Sequence, residues 1–188
     1  MTFVFESGYP IPQVHEVSDD GTEIVMERVS GPTMIELVAS DPSQLVVQAA
    51  ELRRLHQRLH EIQAPTWLRS SPFGDGKAIL HLDLHPINVI ASDHGSVVID
   101  WANASRGEAS SDVALTWLLI ASGDIPGSKE EVELMSMGRA IFLETFLDGF
   151  DQDRLRARLP EVVEWKLKDP HMSKTEELAM QQLVLDTR

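Results

Sequence analysis

The chain has 188 residues, 43% of them apolar and 24% charged, which suits an ordinary globular protein with one sizeable core. It contains no cysteine, so disulfides and thiolate chemistry are excluded, and any zinc site would need His and carboxylate ligands. Thirty Asp and Glu against 16 Lys and Arg give a net charge of −14, which repels nucleic acid and anionic lipid and tolerates or attracts a cationic small molecule; the plainer reading is a soluble acidic surface.

The N-terminal Met1-Thr-Phe-Val-Phe-Glu lacks the basic flank and long apolar core of a secretory signal. Further along, the longest apolar stretch, near Val113 to Ala121, is too short to span a bilayer. Both observations, with the missing cysteines, lead us to expect a soluble cytoplasmic protein with no membrane partner.

In chain order, Gln13 to Val17 reads as a short strand, Ser18-Asp-Asp-Gly21 as a turn and Thr22 to Val29 as a second strand, broken by Gly31-Pro32. A helix is expected from Asp41-Pro42-Ser43-Gln44, with Asp41 as cap, Pro42 in the first turn and Gln44 in a capping box. It buries Leu45, Ala49, Leu52, Leu55, Leu59 and Ile62 on one face and ends at Pro65. Ala78 to Leu80 is a short strand. Asn88 to Ala91 and Val97 to Ile99 form a hairpin through Ser92-Asp93-His94-Gly95. After Ser110 the chain reads as helical, with capping boxes at Ser128/Glu131 and Ser173/Glu176. Met135, Met137, Phe142, Phe146 and Trp165 are expected in the core.

The chemistry concentrates in His81-Leu-Asp-Leu-His-Pro-Ile-Asn88, where a carboxylate and an amide lie on a tight proline-containing loop. The hairpin then delivers Asp100 in Val98-Ile-Asp-Trp101 and can bring it back beside Asn88. Phosphoryl transfer needs such parts: a carboxylate to orient a hydroxyl and take its proton, suiting Asp83, and hard oxygen ligands for magnesium, suiting Asn88 and Asp100. His81, Asp83 and His85 alternate, but no further ligand cluster supports a zinc site. His56 and His60 lie four apart on the long helix, and the plainer expectation is one buried and one solvated histidine rather than a metal pair. The acidic residues of the last helices, Glu130, Glu131, Glu133, Glu144 and Asp148, read as solvated faces.

His81-x-Asp83-x-His85-Pro86-x-Asn88, followed by Ile99-Asp100-Trp101, Gly107 and Asp112-Val-Ala114, resembles the aminoglycoside phosphotransferase and choline kinase superfamily. That resemblance implies an α+β, protein-kinase-like fold. Residues 1–30 would be a remnant of the N-lobe sheet with the hinge, and residues 31–188 the C-terminal helical lobe. By resemblance, Asp83 is the catalytic base and Asn88 and Asp100 hold Mg2+. His81 and Asp112 support the loop, and the hinge residues Met26, Glu27 and Arg28 hold the adenine of ATP. The implied activity is ATP-dependent phosphorylation of a small-molecule hydroxyl. The alternative is a non-catalytic remnant that binds a nucleotide, metabolite or partner protein.

Three positions depart from the family pattern: Leu82 and Ile87 stand where glycine is usual, and Ala109 where proline is. A glycine-rich phosphate loop and a strand lysine do not precede Gly8, so a reduced nucleotide site is expected. The resulting open edge at Thr22–Val29 is expected to be covered by Thr2-Phe3-Val4-Phe5 or by a second copy in a homodimer.

Overall fold

The computed structural model describes residues 1–170 and 172–187, so the expected boundary at Arg188 lies outside the described residues. The order is α1 (Thr2–Glu6), β1 (Val14–Val17), β2 (Ile24–Met26), α2 (Met34–Ser40) and α3 (Leu45–Glu61). There follow β3 (Ala78–Leu80), β4 (Val89–Ser92), β5 (Gly95–Val98), β6 (Ser105–Gly107), α4 (Ala109–Ser122), α5 (Lys129–Leu147), α6 (Gln152–Lys166) and α7 (Lys174–Asp186). Three antiparallel pairs, β1–β2, β3–β6 and β4–β5, accompany a helical body.

α4 is the centre of that body. Its apolar residues surround the helix axis, so no face suits water, and Ser111 through Leu118 are all buried. It packs on β3, α5, α6 and α7. α3 presents the periodic face expected of it, burying Ala49, Leu52, Leu55, His56 and Leu59. The Tyr9 hydroxyl donates to the Leu55 carbonyl, fastening the lead-in to the middle of this helix.

Several elements differ from expectation. Pro42–Gln44 form a 3-10 turn before α3, with Asp41 accepting from the Ser43 amide. The Gln44 side chain donates to the Asp41 carboxylate instead of accepting from the Asp41 backbone amide, which goes to the Leu37 carbonyl. α2 was not foreseen, although Thr33 and Glu36 form the same reciprocal capping box seen at Ser128 and Ser173. β6 was also missed: Ser-Arg-Gly is a poor strand sequence, and its pairing with β3 supplies what local propensity does not.

The chain start is a correction. Thr2–Glu6 forms α1, with Val4 buried and Phe3 edge-on to Trp67, and does not run beside β2. β2 therefore stays bare, with Ile24, Val25 and Met26 all exposed. Met135 and Met137 are exposed too, and Trp165 is half-buried against Phe73. Phe142 and Phe146 alone of that group are fully in the core.

His56, also in the core, sets the acid limit of the fold. Burial pushes its pKa down from 6.5 to about 4, and burial lowers His81 as well. Between those values the unfolded chain binds the proton and the folded chain does not. Stability is therefore complete above about pH 6.5 and falls as pH drops toward 4, by about 3 kcal/mol for His56 alone. Urea midpoints at pH 7.5 and 4.5 test this; equal midpoints would show that the buried histidines titrate normally.

Candidate active site

The loop between β3 and β4 is held from two helices by two pairs of side chains, each spaced one turn apart. On α4, the buried Asp112 carboxylate accepts from the His81 amide at 3.2 Å and the Leu82 amide at 2.7 Å. One turn on, the Thr116 hydroxyl donates to the Leu84 carbonyl at 2.7 Å. On α3, His60 Nε2 donates to Asp112 Oδ2 at 2.9 Å, while His56 Nε2 lies 3.0 Å from Thr116 Oγ1. Neither His56 nor His60 is therefore solvated, as one of the two was expected to be. Burial raises the Asp112 pKa, but the His60 hydrogen bond and the charges of His60, His56 and His81 outweigh it and hold the group at about 2. It is a carboxylate at all physiological pH.

Held in this way, the loop adopts a backbone that side chains avoid. Leu82 has φ 59 and Asp100 φ 60, both in the left-handed region. Leu82 buries its side chain, whereas Ile87 points its own into solvent. The two bulky replacements for glycine are therefore accommodated in opposite ways.

His81 Nε2 donates to the Ile99 carbonyl at 3.0 Å, tying the start of the loop to the end of the hairpin. Its ring stacks edge-on to Trp101 at 4.6 Å, and the Trp101 indole donates to Val98 O. Pairing of Val89 with Val98 closes the hairpin, and the Ile99 amide donates to the Asn88 carbonyl at 3.0 Å. Asp100, the next residue, is thereby brought beside Asn88. Asn88 Nδ2 donates to the Asp83 carbonyl at 2.9 Å and to Asp83 Oδ2 at 3.1 Å. The structure so brings Asp83, Asn88 and Asp100 to one end of the β4–β5 hairpin.

Asp83 is half-buried. Burial raises its pKa, but the hydrogen bond and charge of His85 with the charges of His81 and Lys166 prevail, leaving it below the usual carboxylate value. His85 Nε2 lies 3.4 Å from Asp83 Oδ1, and His85 Nδ1 accepts from the Ile87 amide. His85 thus braces the carboxylate and the following 3-10 turn together. His81 Nε2 is engaged by the Ile99 carbonyl, whereas His85 meets Asp83, so the three alternating side chains do not share one set of partners.

The hinge stretch is fixed by backbone contacts. The Ala91 amide donates to Pro32 O, and a Cβ at Gly31 would collide with the Ala91 carbonyl, so only glycine fits there. The Val98 amide donates to Pro10 O. Met26, Glu27 and Arg28 are all exposed, and the Glu27 amide already donates to Gln13 O. No polar contact joins these three directly to Asp83, Asn88 or Asp100; the link runs through the hairpin.

This combination of a kinase-like helical lobe, a braced loop aspartate and a hairpin carrying a second aspartate defines a phosphotransferase fold. Residues 33–160 match the phosphotransferase enzyme family, APH, and the chain belongs to that family. Thiamine kinase of Escherichia coli (strain SMS-3-5 / SECEC) is 38% identical over 79 residues, which are 42% of this chain and 25% of thiamine kinase. The thiamine kinase of E. coli O17:K52:H18 (strain UMN026 / ExPEC) is 37% identical over the same length. The matched region thus spans a quarter of the curated relatives. A crystal structure of aminoglycoside-3'-phosphotransferase of type VIII superposes with a TM-score of 0.56 at 18% identity, covering 99% of this chain and 76% of that one. The shared fold is the kinase-like one.

Replacing Asp112 tests the bracing. Asp112→Ala leaves two loop amides and His60 without their acceptor, and is expected to cost about 3–5 kcal/mol in denaturant unfolding. A loss below about 1 kcal/mol would show that the loop holds itself.

Proposed function

We propose that the chain transfers a phosphoryl group from ATP to a hydroxyl of a small, cationic acceptor. The observation that carries this reading is the convergence of Asp83, Asn88 and Asp100 at one end of the β4–β5 hairpin. Asp83, ionised at neutral pH, orients the acceptor hydroxyl and takes its proton as the hydroxyl oxygen bonds to the γ-phosphorus and the bond from that phosphorus to the departing ADP breaks.

Asn88 and Asp100 suit a magnesium ion. The Asn88 amide nitrogen is engaged by Asp83, so its carbonyl oxygen is the end available to a hard cation. Asp100 adds an exposed carboxylate. Two protein oxygens are a normal complement for magnesium, which takes its remaining ligands from water and nucleotide phosphates. Bound there, the ion would neutralise charge on the transferring group. Backbone groups of Glu27 and Arg28, with Met26 beside them, are the ones we assign to the adenine edge. His81 and Asp112 act on the loop rather than on substrate.

The uncovered β2 supports a second reading, nucleotide or partner binding without turnover, because Ile24, Val25 and Met26 have no wall over them. A second copy pairing along β2 is the partner we assign to that edge. Sedimentation of the chain should then show a dimer that Val25→Pro dissociates; a monomer at all concentrations would rule it out. Among the described residues no helix is long and apolar enough to cross a membrane.

Calorimetric titration with ATP tests the nucleotide site. Binding should require magnesium and be lost in Asp100→Asn. In a phosphotransfer assay over small amines, sugars and aminoglycosides, Asp83→Ala should lower turnover at least about 100-fold. Unchanged turnover would remove Asp83 from the reaction, and magnesium-dependent binding with no transfer would favour the second reading.

A further inference from the structure

α5 is apolar on two opposite sides. Phe142, Phe146 and Leu147 point into the core, while Leu134, Met137 and Ile141, at one-turn and two-turn spacing, point outward with 71%, 65% and 46% of their surface exposed. A helix with a second apolar stripe is normally covered on both sides. The neighbouring helix extends the surface. Leu45 of α3 reaches over Gly138, and Arg53 donates to the carbonyls of Thr145 and Asp148, so α3 and α5 run side by side in the same direction. Val46, exposed at 51%, follows Leu45 on the same helix. Gly138 keeps the floor between the two helices low.

Charge decides the occupant. Glu130, Glu133 and Glu144 share the outward side of α5, and of the nearby cations Lys129 is already within 3.9 Å of Glu133, while Arg139 turns inward to the Ala121 and Gly123 carbonyls. A second copy on this face would set these glutamates against their own kind. A cationic partner meets them favourably. Leu134, Met137 and Ile141 offer the i, i+3, i+7 anchors of helix-on-groove recognition, and methionine adapts to an incoming side chain.

We propose that the outward face of α5, with Val46 of α3, docks a cationic amphipathic helix of a partner protein. The surface is independent of the phosphotransfer site, so either reading stands without the other.

The test is fluorescence anisotropy of a labelled peptide of about 18 residues, five helical turns, with leucine at i, i+3, i+4 and i+7 and lysine elsewhere. The full chain should bind it saturably, and a scrambled peptide of the same composition at least about tenfold more weakly. Leu134→Gln combined with Met137→Gln, both at exposed positions, should weaken binding at least about fivefold without moving the thermal midpoint. Equal binding of the scrambled peptide would reduce the effect to bulk charge attraction and overturn the proposal. So would unchanged binding by the double variant. Self-association that the double variant abolishes would assign the face to a second copy instead.

Discussion

One buried carboxylate carries the loop on which the rest of the candidate site depends. Asp112 lies in the core with no access to water, where an isolated charge is costly. It is tolerated because three donors converge on it: two successive loop amides and His60. Charge-assisted hydrogen bonds of this kind are roughly twice as strong as neutral ones and fix direction as well as distance. Because the donors come from the loop and from α3, and the acceptor from α4, the carboxylate locks three separate parts of the chain. Thr116 and His56 repeat the arrangement one turn along, again joining α4, α3 and the loop.

From this anchor the site grows outward in a chain of short contacts. The loop start holds the hairpin end through His81 and Ile99, and the hairpin end holds Asn88 through the Ile99 amide. Asn88 then holds Asp83. Each link is a backbone or short side-chain bond, so little conformational freedom remains between Asp112 and the reactive carboxylate. The same hairpin reaches back to Pro10 and Pro32, so hinge and loop share one support.

Much of this was legible because the motif residues are local. The Asp83 to Asn88 spacing, the hairpin turn at Ser92–Gly95 and the capping boxes are short-range patterns, each with a mechanism visible in the sequence. What was not legible depends on contacts between distant segments. β6 exists because β3 pairs with it, and His60 is drawn from solvent because Asp112, 52 residues away, comes to meet it. Thr33-x-x-Glu36 is a readable capping-box pattern, but Gly31-Pro32 just before it reads as the end of a strand. On α5, apolar spacing alone could not say which of two apolar stripes faces inward; Phe142 and Phe146 win through their larger area, leaving Met137 outside.

Leu82 shows how magnitudes settle a local conflict. A left-handed backbone costs a side-chain-bearing residue about 1–2 kcal/mol, which explains the family's use of glycine at this position. Here burial of a leucine side chain, worth about 1.5–3 kcal/mol, acts in the opposite direction. The Leu82 amide also donates to a carboxylate, a bond worth about 1.5–3 kcal/mol when the acceptor is charged. Both favourable terms exist only in the folded loop, and either one is comparable to the strain. The bulkier residue therefore does not loosen the loop. It ties the backbone beside Asp83 into the hydrophobic core, and it makes the loop conformation more dependent on Asp112 than glycine would.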